Sequence, residues 1–506
     1  MSRPRRLDPP PPYPALSWDA ARAREFADRA LDLWEEFLKR LPELPITPRA
    51  DAATVARAVA TSVPDEPMPD DELFGHLRDV LVEWPAVTGH PRFLAYVVGS
   101  GTVPGAVADL LASGVNMNLG GWVLSPSATE IELRLMRWFA AQFGLPETAG
   151  GLMLSGGAMA TFTALKAARD QTAGWDVRGL GVDAGPPLLG YASADVHVVT
   201  DRAFDMLGLG THALRKVATG PDHRMRVDAL RDAIETDLAV GARPYVVVAT
   251  AGTTATGAID PLPEIADLCA EHGLWLHVDA AYGGAAVLAD DLRPALAGIE
   301  RAGSIAFDPH KWLYIPQSAG CLLVRDVRHL ADAFDVHPSF IHEEKELSGR
   351  GVDIGSLGPQ FSRGFAALKV WVSLLAHGRT AYARRISHDA ALARFLGERA
   401  AQRPEFQLAA PVSLSTTCFR YVPPDLAGRS GTAVDDYLDL LNQRLMTEVQ
   451  MDGRVSCSNA VLAGRFVLRA CVVNYRTEAA DVEALLDVAA ELGARLDGGL
   501  RPPGLT

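Results

Sequence analysis

Lys311 lies in the run Ser304-Ile305-Ala306-Phe307-Asp308-Pro309-His310-Lys311-Trp312. Upstream, an aspartate closes another apolar run, Leu274-Trp275-Leu276-His277-Val278-Asp279. An amine and a carboxylate carried to the edge of a buried sheet are the two groups that pyridoxal phosphate (PLP) chemistry requires. The amine bonds the cofactor aldehyde, and the carboxylate keeps the pyridine nitrogen protonated so that the ring accepts electrons. Taken singly, the lysine reads as a surface residue and the aspartate as a helix cap. The apolar neighbours Ile305, Phe307 and Trp312-Leu313-Tyr314-Ile315 place the amine in a buried setting and favour the functional reading of the pair.

Two further groups could serve the same chemistry. Ser155-Gly156-Gly157-Ala158 follows a short apolar run and precedes a helical pattern. Small residues there let backbone N–H groups and a helix N-terminus approach a phosphate, although a glycine pair before a helix is also ordinary turn chemistry. His197, in Tyr191-Ala192-Ser193-Ala194-Asp195-Val196-His197, stands where an imidazole could stack on an aromatic cofactor; a structural histidine is the plainer reading.

These residues need a sheet whose strand ends converge. The middle of the chain alternates strand-like and helix-like segments, the pattern of a mostly parallel α/β sheet. Strands are expected at 245–249, 274–278, 305–307 and 320–324, with a helix at 263–272. Ser125-Pro126 reads as an N-cap followed by proline at the first helical position. Beyond 368, long helical patterns, the run Val-Leu-Arg-Ala-Cys-Val-Val at 467–473 and a helix at 480–492 suggest a small α+β domain. The expected organisation is an N-terminal helical segment over 1–100 that packs on a partner subunit, a large PLP-binding α/β domain over 101–368, and a small C-terminal domain over 369–506.

Composition excludes several classes. The 506 residues are 48% apolar and 22% charged, as in an ordinary globular protein. A net charge of −14 argues against nucleic-acid or anionic-membrane partners. Five cysteines without CxxC spacing predict no disulfide framework and no zinc site. The N-terminus lacks the apolar core of a secretory signal, and no uncharged apolar run is long enough to span a bilayer. A cytoplasmic protein is expected.

Together these motifs resemble the group II PLP-dependent amino-acid decarboxylases, which include aromatic-L-amino-acid, tyrosine and glutamate decarboxylases. The likeness runs from His90-Pro91-Arg92-Phe93-Leu94-Ala95-Tyr96 to Arg476-Thr477-Glu478. It implies the aspartate-aminotransferase fold (fold type I) and a homodimer with active sites at the interface. Lys311 would be the Schiff-base lysine and Asp279 the partner of the pyridine nitrogen. His197 and Ala281 would pack on opposite faces of the ring, with Thr254 nearby, and Gly157, Ala158, Asp308 and His310 would surround the phosphate. Asp308 stands where many relatives carry asparagine.

One departure bears on the product. The family's mobile loop carries a tyrosine thought to return a proton to Cα, and ungapped continuation from Lys311 brings Phe340 to that place. A slow proton leaves the carbanion open to dioxygen, so the likeness admits two products, an amine or an aldehyde formed by oxidative deamination. His337 and His342 are alternative proton donors. Gly99, Gly120 and Gly121 suggest a roomy pocket, with Ser362 and Trp122 on its wall, for an aromatic amino acid. Two other readings stay open: an aminotransferase or carbon–carbon lyase using Arg469 or Arg363 for the substrate carboxylate, and a non-catalytic PLP-binding protein.

Overall fold

The computed structural model describes residues 16–48, 50–335 and 351–505. The chain divides into two compact units, Met1–Val87 and Thr88–Thr506. In the first, helices Ala20–Arg40, Ala52–Ala58 and Asp70–Arg78 follow one another. Asp19 and Asp51 cap the first two by accepting from Arg22 N at 2.8 Å and Thr54 N at 2.7 Å. Leu41, Leu44, Val82 and Val87 form a small core, yet none of the three helices has a fully buried residue.

The second unit is built on a seven-stranded sheet. Its strands are β1 (Gly150–Leu154), β2 (Leu188–Ser193), β3 (Leu214–Val217), β4 (Arg243–Thr250), β5 (Trp275–Asp279), β6 (Ser304–Phe307) and β7 (Gly320–Val324), in the order β1-β7-β6-β5-β4-β2-β3. β7 runs antiparallel to both β1 and β6, and the remaining pairings are parallel. Both faces are covered. Val247, Ala249, Val278 and Ile305 join one core, while Tyr245, Val248 and Trp275 join another. Such strands read as continuous apolar runs because neither face meets water.

The strands expected at 245–249, 274–278, 305–307 and 320–324 fall in β4 to β7, and the expected helix is Leu262–His272. β2 and β3 carried no legible signal, since Gly190 interrupts the first and Leu-Arg-Lys-Val is a short edge strand buried only at its ends. Ser125 does precede a helix, Pro126–Gln142, but its hydroxyl makes no capping bond. The Ser125 backbone carbonyl accepts from Thr129 N instead, and its Oγ is buried with no hydrogen-bond partner among the described residues.

A four-stranded antiparallel sheet follows, β8 (Phe406–Leu408), β9 (Thr416–Tyr421), β10 (Ser458–Leu462) and β11 (Arg465–Cys471), ordered β10-β11-β9-β8. Helices Thr432–Asp452 and Ala479–Leu500 cover it, with Leu441, Leu445, Leu485, Ala489 and Leu492 in its core. A long helical segment, Ala367–Ala401, packs on the four-stranded sheet and on helices Val103–Val115 and Pro126–Gln142, and is broken at Gly378, whose φ of 74° and ψ of 154° leave the helical region.

Candidate active site

Parallel pairing aligns the carboxyl ends of the strands. Thr250 lies opposite Asp279, and Asp279 opposite Ala306. The links leaving β1, β2, β4, β5 and β6 therefore emerge on one edge, where open α/β sheets place their ligands. They carry Ser155 to Ala158, His197, Thr254, Asp279 to Ala281, and Asp308 to Lys311 respectively.

Asp279 is 6% exposed, and its Oδ1 accepts from Ala281 N at 3.0 Å, which fixes the carboxylate at the strand end. Asp308 N donates to Ala281 O at 3.1 Å, so the ends of β5 and β6 are tied together. Lys311 Nζ lies 3.1 Å from Asp308 Oδ2, and His310 Nε2 lies 3.8 Å from the same oxygen. His310 Nδ1 is held at the start of β7, 2.7 Å from Ala319 O and 3.1 Å from Ala319 N. Burial lowers the His310 imidazole below its usual range, with Asp308 and the Ala319 carbonyl pulling it back.

Partial enclosure likewise lowers His197, and Asp279, Lys311 and Asp308 are its charged neighbours. The histidine itself remains exposed, with its Nδ1 accepting from Val199 N at 3.3 Å. Thr254 is exposed on the link after β4, and its carbonyl accepts from Arg469 Nη1. Lys311, Asp279, His197, Ala281, Asp308 and His310 thus meet at one edge. Phe340, His337 and His342 lie outside the described residues.

The cradle after β1 suits a phosphate. Helix Gly157–Thr172 begins at this edge, and the first amides of a helix have no intrahelical acceptor. A Cβ on Gly157 would come within 2.8 Å of Asp308 Oδ2, and one on Gly320 within 2.5 Å of the Gly156 backbone. Glycine at both positions keeps the cradle open. Asp308 Oδ1 is buried with no hydrogen-bond partner among the described residues, an acceptor left over in an otherwise paired cluster. A cavity of about 390 Å³ beside Ser155 is lined by Ser318, Ser362, Arg363 and Lys369 among others. Trp122 instead gives its backbone N–H to Asp353 and its indole N–H to Glu130.

Two sequence expectations need correction. Gly99 and Gly120 do not enlarge a pocket, because a Cβ on them would lie 2.1 Å from Lys311 O and 2.3 Å from Phe361 O respectively. Backbone packing explains both glycines; only Gly121 has ordinary clearance. Arg469 is engaged through all three of its guanidinium nitrogens, and Arg363 through one. Arg469 gives Nε and Nη2 to Ser458 Oγ and Nη1 to the Thr254 carbonyl. Arg363 Nη2 is buried against Glu132 Oε1 at 2.6 Å and Met153 O at 2.5 Å, while its Nε and Nη1 have no hydrogen-bond partner among the described residues.

The sequence reading also missed the support beneath Lys311, a buried carboxylate at Asp389 that receives Trp312 and Tyr314. Its signal was present: an acidic residue on the apolar stripe Ile386, Ala390 and Ala393 of a helix.

Comparison with known proteins finds relatives along most of the chain. The pyridoxal-dependent decarboxylase conserved domain matches residues 53–422. An aromatic-L-amino-acid decarboxylase of Bacillus atrophaeus is 33% identical over 91% of this chain and 93% of its own length. A phenylacetaldehyde synthase of a Rosa hybrid cultivar is 28% identical over 91% of each chain. The crystal structure of Oryza sativa TDC with PLP and tryptamine superimposes with a TM-score of 0.88 at 28% identity, covering 95% of this chain and 99% of that one.

Proposed function

The chain belongs to the pyridoxal-dependent decarboxylase family, and from that premise we propose that it removes the α-carboxylate of an aromatic L-amino acid. It is a PLP-dependent carboxy-lyase. The observation that carries the reading is the convergence of Lys311, Asp279 and His197 at one sheet edge beside a glycine cradle.

Bound PLP supplies an electron sink for the pair left on Cα when carbon dioxide departs. The residues divide the remaining work. Lys311 would hold the cofactor through its ε-amine. Asp279, fixed by the Ala281 amide, holds the proton on the ring nitrogen. His197 and Ala281 would enclose the ring. The amides at Gly157 and Ala158, with His310, receive the phosphate, and Thr254 lies on the link after β4. Asp308 Oδ2 pairs with Lys311 at 3.1 Å, so this carboxylate would orient the amine. The engagement of all three Arg469 guanidinium nitrogens in internal bonds disfavours its use as the free arginine that an aminotransferase needs for its substrate.

Aromatic specificity rests on the relatives that act on such substrates. A second product is favoured by Phe340, which has no phenol to deliver a proton. The balanced outcome is then amino acid, dioxygen and water giving aldehyde, carbon dioxide, ammonia and hydrogen peroxide.

A homodimer fits the helix Val103–Val115. Its far side binds the Ala367–Ala401 helix through Thr102 to Ser373 and Asp109 to Lys369. On its open face Val103, Val107, Leu110, Leu111 and Val115 are 40–62% exposed at helical spacing, and a second copy covers this stripe.

Incubation with aromatic amino acids, following carbon dioxide, amine and peroxide together, tests the reading. Carbon dioxide with amine supports simple decarboxylation, and carbon dioxide matched by peroxide supports the aldehyde route. Keto acid without carbon dioxide overturns both. Borohydride treatment should fix a pyridoxyl group on Lys311, and its absence from that peptide would end the assignment.

A further inference from the structure

The residue after Lys311 belongs to the core. Trp312 is fully buried, stacks on Tyr282 with centroids 5.3 Å apart, and donates Nε1 to Asp389 Oδ2 at 3.0 Å. The Tyr314 hydroxyl donates to the same oxygen at 2.6 Å. Tyr314 has a φ of 55°, a left-handed backbone that bulky residues rarely adopt. Asp389 Oδ1 accepts from Arg385 Nε at 2.8 Å, and Arg385 also donates to the Thr477 carbonyl at 2.7 Å. Tyr282 follows closely on Asp279, and its hydroxyl contacts Ser415 Oγ at 2.5 Å and Thr416 Oγ1 at 3.2 Å.

We propose that Asp389 is a positioning residue: it holds the 309–316 turn, and with it the Lys311 amine, in fixed relation to Asp279. The inference rests on the reading of Lys311 as the cofactor anchor. A wholly buried carboxylate is costly unless its oxygens are satisfied. Asp389 is 0% exposed, and its donors come from the Lys311 turn and from an arginine bound to the 474–478 segment. An unfavourable backbone angle persists only where surrounding contacts over-determine it. The bond from the Tyr314 hydroxyl, with the Tyr314 carbonyl accepting from Thr102 N, is that constraint. The Tyr282–Trp312 stack carries the same restraint to the strand end that bears Asp279. Burial pushes the Asp389 carboxyl up to about 7, while Arg385, Tyr314 and Trp312 pull it back.

The test compares wild-type holoenzyme with Asp389→Asn, Trp312→Phe and Tyr314→Phe. The two aromatic variants each remove one bond to Asp389 and keep a ring in place, so they serve if Asp389→Asn fails to fold. Three quantities are read: the fraction of Lys311 fixed to cofactor by borohydride, the pH midpoint of the bound cofactor's visible absorbance, and kcat against KM. The expected result is wild-type cofactor content, a shifted midpoint, and kcat lowered roughly 10–100-fold with KM nearly unchanged, as a displaced reacting group gives. Variants that lose only thermal stability, with midpoint and kcat unchanged, overturn the inference. Wild-type protein with no adduct on Lys311 would overturn the anchor reading, and this inference with it.

Discussion

Asp279 is held rigidly by a backbone amide, so replacing it with asparagine should change charge while leaving shape almost intact. Asp279→Asn should retain cofactor on Lys311 yet lose on the order of 10²–10⁴ in kcat, the range for removing a positioned proton-holding group. Steady-state kinetics on the cofactor-loaded variant checks this. His277 offers a pH test in the same strand. Burial pushes its imidazole down to about 4 from 6.5, so the folded protein keeps it neutral while the unfolded chain binds a proton. That contribution to stability is present above about 6.5 and is lost as pH falls towards 4. His277→Asn can keep the bond to Ser304 Oγ, which lies 2.9 Å from His277 Nδ1. Urea unfolding between pH 7 and 5 should show a shallower acid loss in the variant than in wild type. Lys311 and Asp279 were legible in the sequence because each closes or follows an apolar run, and such runs mark strands buried on both faces. Gly99 and Gly120 were misread because a missing side chain looks alike from sequence whether it admits a ligand or another backbone.

Among elements, the junction of β1 with helix Gly157–Thr172 is the most demanding sterically. Gly157→Ala would drive a methyl group to 2.8 Å from Asp308 Oδ2. Overpacking of this kind costs about 1–3 kcal/mol, or roughly 5–150-fold weaker retention of PLP, measurable by equilibrium dialysis of the holoenzyme. The segment around Phe340 carries the product question. Phe340→Tyr should raise the ratio of amine to peroxide if the phenol is what the loop lacks, and should leave it unchanged if His337 or His342 already delivers the proton. The strands that escaped sequence reading, β2 and β3, lie on the side of the sheet away from Lys311. One is interrupted by a glycine packed against Phe204 and Val246, and the other is a four-residue edge. Period and apolarity fail as signals where strands are this short or interrupted.

For the molecule as a whole, the open stripe on helix Val103–Val115 is the feature that a single chain leaves unexplained. Leu110→Asp should dissociate the proposed dimer, and sedimentation should then give a species of about one chain's mass, 54.1 kDa. A variant that still sediments as a dimer would place the interface elsewhere. Sequence showed the layered architecture but not which helix faces would remain uncovered, because an apolar stripe reads the same against its own core and against a neighbour. The reversal of β7 has a consequence for turnover. Since β6 and β7 are adjacent and antiparallel, the 308–319 link leaves the sheet and returns to it on the same edge, and sheet hydrogen bonds fasten it at both ends. If Lys311 is the proposed cofactor anchor, an amine leashed so closely would keep a high effective concentration near the cofactor even while substrate is bound. On the proposed reading of Lys311, product would be displaced by a neighbour that never diffuses away.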